Sequence, residues 1–427
     1  MPNTWLSNSL WPAIRIKYIC SECFSGGTPD TTNSSYWNNG TIPWIASGEL
    51  QNCDVNNATN YITIKGLSNS SARIIRKNSV AVAMTGATCA NVGYINFETS
   101  ANQSVYAYVM KSNQNARFAY YSLIAMRDEI LSKQNGGAQA GINGAVCKNL
   151  YIPKLDLQKQ EQIVDYLDKK VGIIDKMIAN INQQIEELKQ CKMNLITETV
   201  TKGLNKNAKL KTIGLKWCNN IAEDFGIGII RADFTLRGRI GWQGLTTNDY
   251  VEEGPYLITG TDFENEQINW GTCVHVTDKR YDEDANIHVR ENDLLITKDG
   301  TVGKLAIVKN CPQKVSLNSG IMLIKPRTNR CLTSYLKYVL SSSVFWDWYY
   351  FSQRGKATIQ HLYQEQFSYF KYPLPDIITQ QHIMAYLDKK CDTINRLLQN
   401  KRQKIEELTR YKKSLIYECV TGKKEVL

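Results

Sequence analysis

The sequence predicts two globular domains of mixed α/β (α+β) class, built as two copies of one fold, with a long helix after each. The first observation is a repeat, in which QEQIVDYLDKK at 160–170 matches QQHIMAYLDKK at 380–390 without a gap. The second is that apolar residues in both copies follow a 4-3 step, typical of a coiled coil. The third is that short apolar runs bounded by Gly, Asn and Ser precede each copy, as strands do in loop-rich domains. A repeat of this size decides the architecture, so we interpret it before any local pattern.

Each copy of the repeat predicts one long helix with an apolar seam. Pro153 and Pro373 stand before the helices, at positions where proline is tolerated. About 40 residues at ~1.5 Å per residue give a rod of roughly 60 Å. The predicted spacer seam consists of Leu167, Ile174, Ile181, Leu188, Leu387, Ile394, Ile405 and Leu408.

Chain connectivity then predicts how the two helices pair. Only a short basic linker, 202–216, joins the first helix to the second globular segment, so the second helix has to run back along the first. We expect an antiparallel coiled coil that separates the globular domains with pseudo-two-fold symmetry. The alternative is two separate domains whose helical tails each pair with another chain. The predicted segments are 1–150 (domain 1), 151–205 (helical spacer 1), 206–370 (domain 2) and 371–427 (helical spacer 2).

Three lysines, Lys192, Lys401 and Lys412, occupy positions where the seam should be apolar. A polar residue in a seam lowers stability and can specify the register of the two helices. The other interpretation is a hydrated, frayed helix end, which is the one we favour for each lysine.

The amino-acid composition limits which partners, compartment and metal sites we expect for this chain. The net charge of +11 permits an anionic partner such as nucleic acid without requiring one. Twelve scattered cysteines, with no signal peptide and no apolar run of membrane length, indicate the reducing cytoplasm and no membrane partner. Cys20 and Cys23 form a C-x-x-C, but there is no second ligand pair, so we expect no metal site.

Local patterns place strands and helices within both domains. Strands are predicted at 41–47, 61–66 and 80–86 in the first domain, and a helix at 116–131. In the second domain, 291–308 predicts a strand, a Gly-Thr-Lys turn and a strand, in a position similar to 80–96 of the first. A helical stretch at 333–351 follows.

Motifs for catalysis are missing, and a binding pattern remains. The segment KDGTVGK at 298–304 lacks the spacing of a phosphate-binding loop, and no G-x-G-x-x-G opens a helix after a strand. Lys and Arg neutralise phosphates, whereas Arg, Asn, Gln, Ser and Thr recognise base edges. Taken singly, each basic cluster is also consistent with solvated surface charge, and Tyr36, Trp37 and Trp242 with core or loop anchors. The predicted DNA-binding residues are Arg73, Arg76, Lys77, Thr85, Thr88, Arg237, Arg239, Lys298, Thr301, Lys304, Arg354 and Lys356.

Several motifs together resemble the specificity subunit of a type I restriction-modification system. They are GGTP at 26–29, YWNNGTIPWIASGEL at 36–50, IPKLDLQKQEQIVDYLD at 152–168 with its echo YPLPDIITQQHIMAYLD at 372–388, and the two IEEL helices. The resemblance covers essentially the whole chain. The second domain departs from it, because it has no GGTP and no IPWI.

The resemblance implies a non-catalytic subunit that binds double-stranded DNA. Each domain would be a target recognition domain for one half of a split site, and the helices would form the spacer. Two modification subunits would bind the chain and methylate adenine with S-adenosylmethionine, and restriction subunits, where present, would use ATP and Mg. No cofactor is expected on this chain. The competing hypothesis is a coiled-coil interaction scaffold without sequence-specific DNA binding.

Overall fold

The computed structural model describes residues 4–7, 9–135, 140–239, 245–353 and 361–426. The chain divides into two compact units. The first comprises Met1–Asn182 and Arg402–Leu427, and the second comprises Gln183–Lys401. Each unit therefore contains one globular domain and a part of both long helices.

A five-stranded sheet in the order β2-β9-β6-β7-β4 forms the centre of the first domain, beside a three-stranded sheet in the order β5-β3-β8. Helix α2 covers the larger sheet because Phe118, Tyr121 and Leu123 turn to the core. The elements are β1 (Ala13–Arg15), β2 (Cys20–Ser25), β3 (Ile42–Ile45), β4 (Cys53–Val55), β5 (Asn60–Ile62), α1 (Ile64–Ser68), β6 (Ser79–Ala83), β7 (Val92–Ile95), β8 (Ser100–Ala101), β9 (Val105–Met110), α2 (Ala116–Ala125), α3 (Arg127–Leu131), α4 (Gly144–Lys148), β10 (Tyr151–Pro153) and the long helix α5 (Leu157–Lys202).

The second domain contains a four-stranded sheet in the order β14-β22-β19-β20 and a three-stranded sheet in the order β18-β15-β21. Its elements are β11 (Leu210–Leu215), β12 (Cys218–Ala222), β13 (Gly226–Ile229), α6 (Ile230–Asp233), β14 (Phe234–Arg237), β15 (Val251–Ile258), β16 (Phe263–Glu264), β17 (Gln267–Ile268), β18 (Val274–His275), α7 (Asp278–Asp282), β19 (Leu294–Thr297), β20 (Leu305–Ile307), β21 (Val315–Leu317), β22 (Ile321–Pro326), α8 (Thr333–Leu340), α9 (Ser343–Ser352), α10 (Gln364–Ser368), β23 (Lys371–Leu374) and the long helix α11 (Ile377–Thr421).

The two domains share one strand topology. In the first, β6 lies between β9 and β7 with antiparallel pairing on both sides, and in the second β19 lies in the same way between β22 and β20. In the smaller sheets, β3 and β15 each pair with one antiparallel and one parallel neighbour. The two globular segments are therefore copies of one mixed α/β fold, as predicted, although their sequences differ.

The helix starts differ from the predicted spacer boundaries at 151 and 371. Pro153 and Pro373 lie in the strands β10 and β23, which pair with β1 and β13 and so belong to the globular domains. Asp156 accepts a hydrogen bond from the backbone N–H of Lys159 at 2.8 Å, and Asp376 accepts one from Thr379 at 3.0 Å. These aspartates cap the first turns of α5 and α11, which is why each helix begins one residue later.

The repeated glutamine and aspartate join each domain to its long helix. Gln160 is 2% exposed, accepts a hydrogen bond from the Asn115 N–H at 2.8 Å, and donates to the Leu155 carbonyl at 2.9 Å. Its repeat, Gln380, is fully buried and makes corresponding bonds to the Leu332 N–H and the Pro375 carbonyl, both at 2.8 Å.

The aspartate of each YLD motif makes a second contact. Tyr121 of α2 donates its hydroxyl proton to Asp168, and Tyr338 of α8 donates to Asp388 in the same way. Arg117 adds an ion pair with Asp168 at 3.0 Å in the first domain. The repeated motif thus has a structural cause, since its polar residues bind each domain to the helix that follows it.

In both units, segments of α5 and α11 run antiparallel. In the first unit, Lys159 donates to the Val426 carbonyl at 3.3 Å, and further along α5 Asp175 pairs with Lys412 at 2.7 Å. In the second unit, Gln184 bonds Lys401 at 2.5 Å, and Lys192 bonds Asn395 at 3.0 Å. All eight predicted seam residues are buried or partly buried.

The favoured interpretation of the seam lysines as frayed, hydrated ends is wrong. Each of Lys192, Lys401 and Lys412 lies within its helix and binds a polar side chain of the opposite helix. Because each lysine is partly buried and its partner lies at one position of the opposite helix, these contacts favour one register over its neighbours.

Glu266, in the turn between β16 and β17, connects the second domain to the helices. Its carboxylate binds the ammonium groups of Lys192 on α5 at 2.9 Å and Lys337 on α8 at 2.7 Å. Burial alone would raise the pKa of Glu266, but the two ammonium groups outweigh burial and lower its pKa below the ordinary value of 4.5.

Glu266 predicts a pH dependence of stability. Its folded-state pKa is depressed, so its contribution is present above the ordinary pKa of 4.5 and is lost as pH falls through the folded pKa. We expect the difference in unfolding free energy between the wild type and Glu266→Gln to shrink from about pH 6 to about pH 3. Urea titrations across this range measure it, with the exposed Glu253→Gln as a control. A difference that grows on acidification would contradict the assignment.

Candidate nucleic-acid interface

The turn between β19 and β20 carries three predicted DNA-binding residues. Gly300 and Gly303 have φ of +64° and +87°, a region that favours glycine, and they reverse the chain. Thr297 Oγ1 donates to the Thr301 carbonyl at 2.6 Å and accepts from the Lys304 N–H at 2.9 Å. Lys298, Thr301 and Lys304 are therefore held on one short turn, with Thr301 exposed to solvent.

Arg237 lies at the same end of the sheet. It is the last residue of β14 and pairs with Leu323, while Thr297 at the end of β19 pairs with Ile321 of the same strand β22. A Cβ atom built on Gly238, the residue after Arg237, would lie 3.6 Å from the Lys298 ammonium. The structure thus brings Arg237 beside Lys298, although 60 residues separate them in the sequence.

The corresponding turn of the first domain, between β6 and β7, carries Thr85 and Thr88. Thr85 is exposed and shares a hydrogen bond with the Ser104 hydroxyl at 2.8 Å. This turn has no cation, whereas the second-domain turn has two lysines. Thr85 and Thr88 therefore occupy a turn equivalent to that of Lys298, Thr301 and Lys304, with different chemistry.

The GGTP loop lies at this end of the first domain as well, because it follows the last residue of β2. A Cβ on Gly26 would lie 2.3 Å from the Ala101 carbonyl, so the loop requires glycine here. The next turn places Thr28 in hydrogen-bond contact with Gln103, near Ser104. The predicted residues did not include Thr28, Gln103 or Ser104, which the structure places at the same end of the domain as Thr85. The GGTP motif was the signal that could have found Thr28.

Arg73, Arg76 and Lys77 are exposed but lie elsewhere in the first domain. They precede β6, whereas Thr85 and Thr88 follow it, so a five-residue strand of about 17 Å separates the two groups. Arg73 and Arg76 both pair with Glu22 of β2, at 2.8 and 3.6 Å. The structure does not bring these arginines to the turn, and their charge is partly neutralised.

Arg239 is not on the surface that its predicted role requires. It is 1% exposed, and its guanidinium donates to the Leu317 carbonyl at 2.9 Å and the Ser316 hydroxyl at 3.0 Å, with Glu283 at 3.4 Å. Burial lowers the pKa of Arg239, against the opposing effect of Glu283. In this structure Arg239 joins β21 to the end of α7, which is a structural role.

We expect Arg239→Met to destabilise the second domain by about 2–4 kcal/mol, because it leaves a buried carbonyl, a hydroxyl and a carboxylate without their donor. The exposed Arg237→Met, two residues earlier, should change the unfolding free energy by less than about 0.5 kcal/mol. Urea unfolding followed by tryptophan fluorescence compares the two variants. Unchanged stability together with lost DNA binding in Arg239→Met would restore the original prediction.

Some predicted residues lie outside the described part of the chain. These are Arg354, Lys356 and Trp242. Trp37 is described, and its indole donates to the Asp30 carbonyl at 3.0 Å and packs edge-on against Trp44 with ring centroids 5.1 Å apart. Of the two interpretations of Trp37, the loop anchor describes these contacts.

Two further observations concern the described residues only. No group of three or more His, Cys, Asp or Glu side chains among them is arranged to hold a metal ion. None of the helices in that part of the chain is both long enough and apolar enough to cross a membrane.

Two curated relatives illustrate the sequence similarity. The chain is 27% identical over 168 residues to the specificity subunit of the type I restriction enzyme EcoR124I/EcoR124II of Escherichia coli, a match that covers 38% of this chain and 42% of that subunit. It is 25% identical over 332 residues to the putative type I restriction enzyme MjaX specificity subunit of Methanocaldococcus jannaschii, covering 74% and 70% of the two chains.

The fold is also similar to that of a solved structure. The match is a chain from a structural study of complex assembly and conformational transition of the type I R-M system, with a TM-score of 0.67, 15% identity and coverage of 96% of this chain and 98% of that one. Residues 8–190 and 245–407 match the family described as type I restriction modification DNA specificity domain. These two segments make up most of the sequence, and they confirm the resemblance that the repeated motifs indicated. The chain belongs to the type I restriction modification DNA specificity domain family.

Proposed function

We propose that this chain is the DNA sequence-specificity subunit of a type I restriction-modification complex and has no catalytic role of its own. One observation carries the proposal. Two domains with the same strand topology bring predicted DNA-binding residues to the same turn, Thr85 and Thr88 in one and Lys298, Thr301 and Lys304 in the other. The names of the relatives, which are specificity subunits, support it.

Each domain would recognise one half of a bipartite site in double-stranded DNA. Contacts with base edges in the major groove discriminate by about 1–3 kcal/mol for each good bidentate pair, and contacts with phosphates fix the register. Threonines in one turn and lysines in the other suit two different half-sites, because hydroxyls donate and accept whereas ammonium groups only donate.

The two long helices would form the spacer that fixes the gap between the half-sites, as an antiparallel coiled coil with pseudo-two-fold symmetry. The antiparallel contacts within each unit and the buried positions of Leu167, Leu387 and Leu408 support this arrangement. The family resemblance implies that the same spacer would bind two modification subunits.

Catalysis would belong entirely to the partner subunits. The modification subunits would hold S-adenosylmethionine, and restriction subunits, where the system has them, would hold ATP and Mg. The complex would act in the cytoplasm, where it meets DNA.

The test is the methylation pattern of the host genome with and without the gene, measured by single-molecule sequencing. We expect a bipartite motif with one methylated adenine on each strand to disappear on deletion. Exchanging residues 1–150 for those of a relative with another specificity should change one half-site only.

An unchanged methylation pattern from an expressed gene would count against the proposal. The competing hypothesis, an interaction scaffold without sequence-specific DNA binding, has no support from the comparisons. Failure of the purified chain to bind duplex DNA, together with an unchanged methylation pattern, would support the scaffold hypothesis.

A further inference from the structure

A basic groove runs along the free edge of β14 in the second domain. It has a volume of about 480 Å³ and is lined by α6, β14, α10 and the residue after β22. Three arginines line it, namely Arg231, Arg237 and Arg327, and all three are exposed. Glu365 is the one carboxylate among the described residues that line the groove. The lining therefore has an excess of positive charge.

Arg231 and Arg327 are held in place by contacts that do not neutralise them. The Arg231 guanidinium lies 4.2 Å from the centre of the Tyr369 ring, and Arg327 donates to the Arg231 carbonyl at 3.1 Å. Within the described part of the chain, none of the three forms an ion pair with a carboxylate. Cations positioned by a ring and a carbonyl keep their full charge for an external anion.

The first domain differs at its corresponding edge. There β2 carries Glu22, which pairs with both Arg73 and Arg76. The equivalent edge strand β14 of the second domain has no acidic residue between Phe234 and Arg237. Among the described residues, the arginines near this edge are thus ion-paired in the first domain and lack a carboxylate partner in the second.

One end of the groove adjoins the proposed base-recognition turn, and Arg231 and Arg327 lie at the other end of β14. Arg237 lines the groove, and the residue after it approaches the Lys298 ammonium. Each nucleotide of a duplex carries a phosphate, so cations that lead away from such a turn suit the sugar-phosphate backbone beside the half-site. The planar guanidinium binds phosphate oxygens in bidentate fashion, which explains arginine at all three positions.

We propose that Arg231, Arg237 and Arg327 form a subsite for the phosphodiester backbone of the DNA strand that flanks the half-site of the second domain. This subsite rests on the proposed function and assigns affinity and discrimination to different residues of the second domain. The groove supplies sequence-independent affinity, and the turn beside it supplies discrimination.

The test is the salt dependence of DNA binding by the full chain. Affinity for a duplex with the bipartite site found in the methylation experiment, and for a scrambled duplex, is measured by fluorescence anisotropy between 50 and 200 mM KCl. Each phosphate contact contributes about −0.9 to the slope of log K against log salt concentration. Arg231→Gln and Arg327→Gln should each make the slope shallower by about that amount. Between 50 and 200 mM KCl, the fold-decrease in affinity should therefore be roughly 3.5 times smaller for each variant than for the wild type.

Both variants should weaken binding to the two duplexes equally, because a phosphate contact has no sequence preference. Arg290→Gln is the matched control, since Arg290 is exposed in the same domain but does not line the groove. Thermal unfolding checks that each variant folds; Arg327→Gln keeps the test valid if loss of the Tyr369 contact destabilises Arg231→Gln.

Unchanged slopes in both variants, with normal discrimination between the duplexes, would overturn the subsite and leave the proposed function standing. Loss of modification-subunit assembly with unchanged slopes would show that the groove binds protein, which also overturns it. A wild-type chain that does not distinguish the two duplexes would refute the proposed function itself.

Discussion

Inserting one heptad into both long helices should lengthen the unread gap of the methylated motif by up to about three base pairs and leave both half-sites unchanged. Seven residues add about 10 Å of helix, and one base pair of duplex rises about 3.4 Å. The insertions belong after Asn182 and after Lys401, where the chain passes from one compact unit to the other. A whole heptad preserves the phase of the seam on each side.

The measurement is the methylated motif in cells that carry the lengthened gene. An insertion in α5 alone is the matched control, because it shifts polar contacts such as Lys192–Asn395 out of register and should abolish methylation. A changed half-site with an unchanged gap would refute the role of the helices as a spacer. So would full methylation of the original motif by the doubly lengthened chain.

Replacing the repeated glutamine should be the most damaging single polar substitution in the helices. Gln380→Ala leaves the Leu332 N–H and the carbonyls of Arg330 and Pro375 without a partner in a buried place. At about 1–3 kcal/mol for each unsatisfied group, and with partial relaxation, we expect a loss of about 3–5 kcal/mol. Gln160→Ala should destabilise the first unit to a similar degree.

The chain supplies a matched control next to this residue. Gln381 is exposed, so Gln381→Ala should stay within about 0.5 kcal/mol of the wild type. Urea unfolding followed by circular dichroism measures all three variants, and two separate transitions would allow each loss to be assigned to its unit. Equal stability of Gln380→Ala and Gln381→Ala would show that the repeated glutamine does not stabilise the docking of the domain on its helix.

Several features were readable from the sequence because their signals are local and periodic. The 4-3 step of apolar residues indicated both long helices, and the structure has helices of 46 and 45 residues in these places. The Gly-Thr-Lys pattern at 298–304 indicated a turn between two strands, which is how β19 and β20 are joined. The repeat and the GGTP loop indicated the family, which the comparisons confirm.

Other features depend on contacts between residues that are distant in sequence. Lys412 and Asp175 are 237 positions apart, and Lys401 and Gln184 are 217 apart, so nothing local shows that these seam lysines have partners. Arg239 follows Arg237 by two residues and has the same side chain, yet only Arg239 is enclosed by β21 and Glu283. Whether a side chain is buried depends on which residues pack against it, so the residue type alone does not predict its exposure.

By itself, the sequence determined the repeat, the helices, the two-domain organisation and the family, because periodicity and motif spacing are properties of the chain. Only the tertiary structure decided which cations of the described residues lack a carboxylate partner. Glu22 forms ion pairs with Arg73 and Arg76, and Arg239 donates to a backbone carbonyl and a hydroxyl. Arg231, Arg237 and Arg327 line the groove along the edge of β14 and keep their charge. The physical reason is that the availability of a charge depends on its neighbours in space, and folding chooses those neighbours from the whole chain.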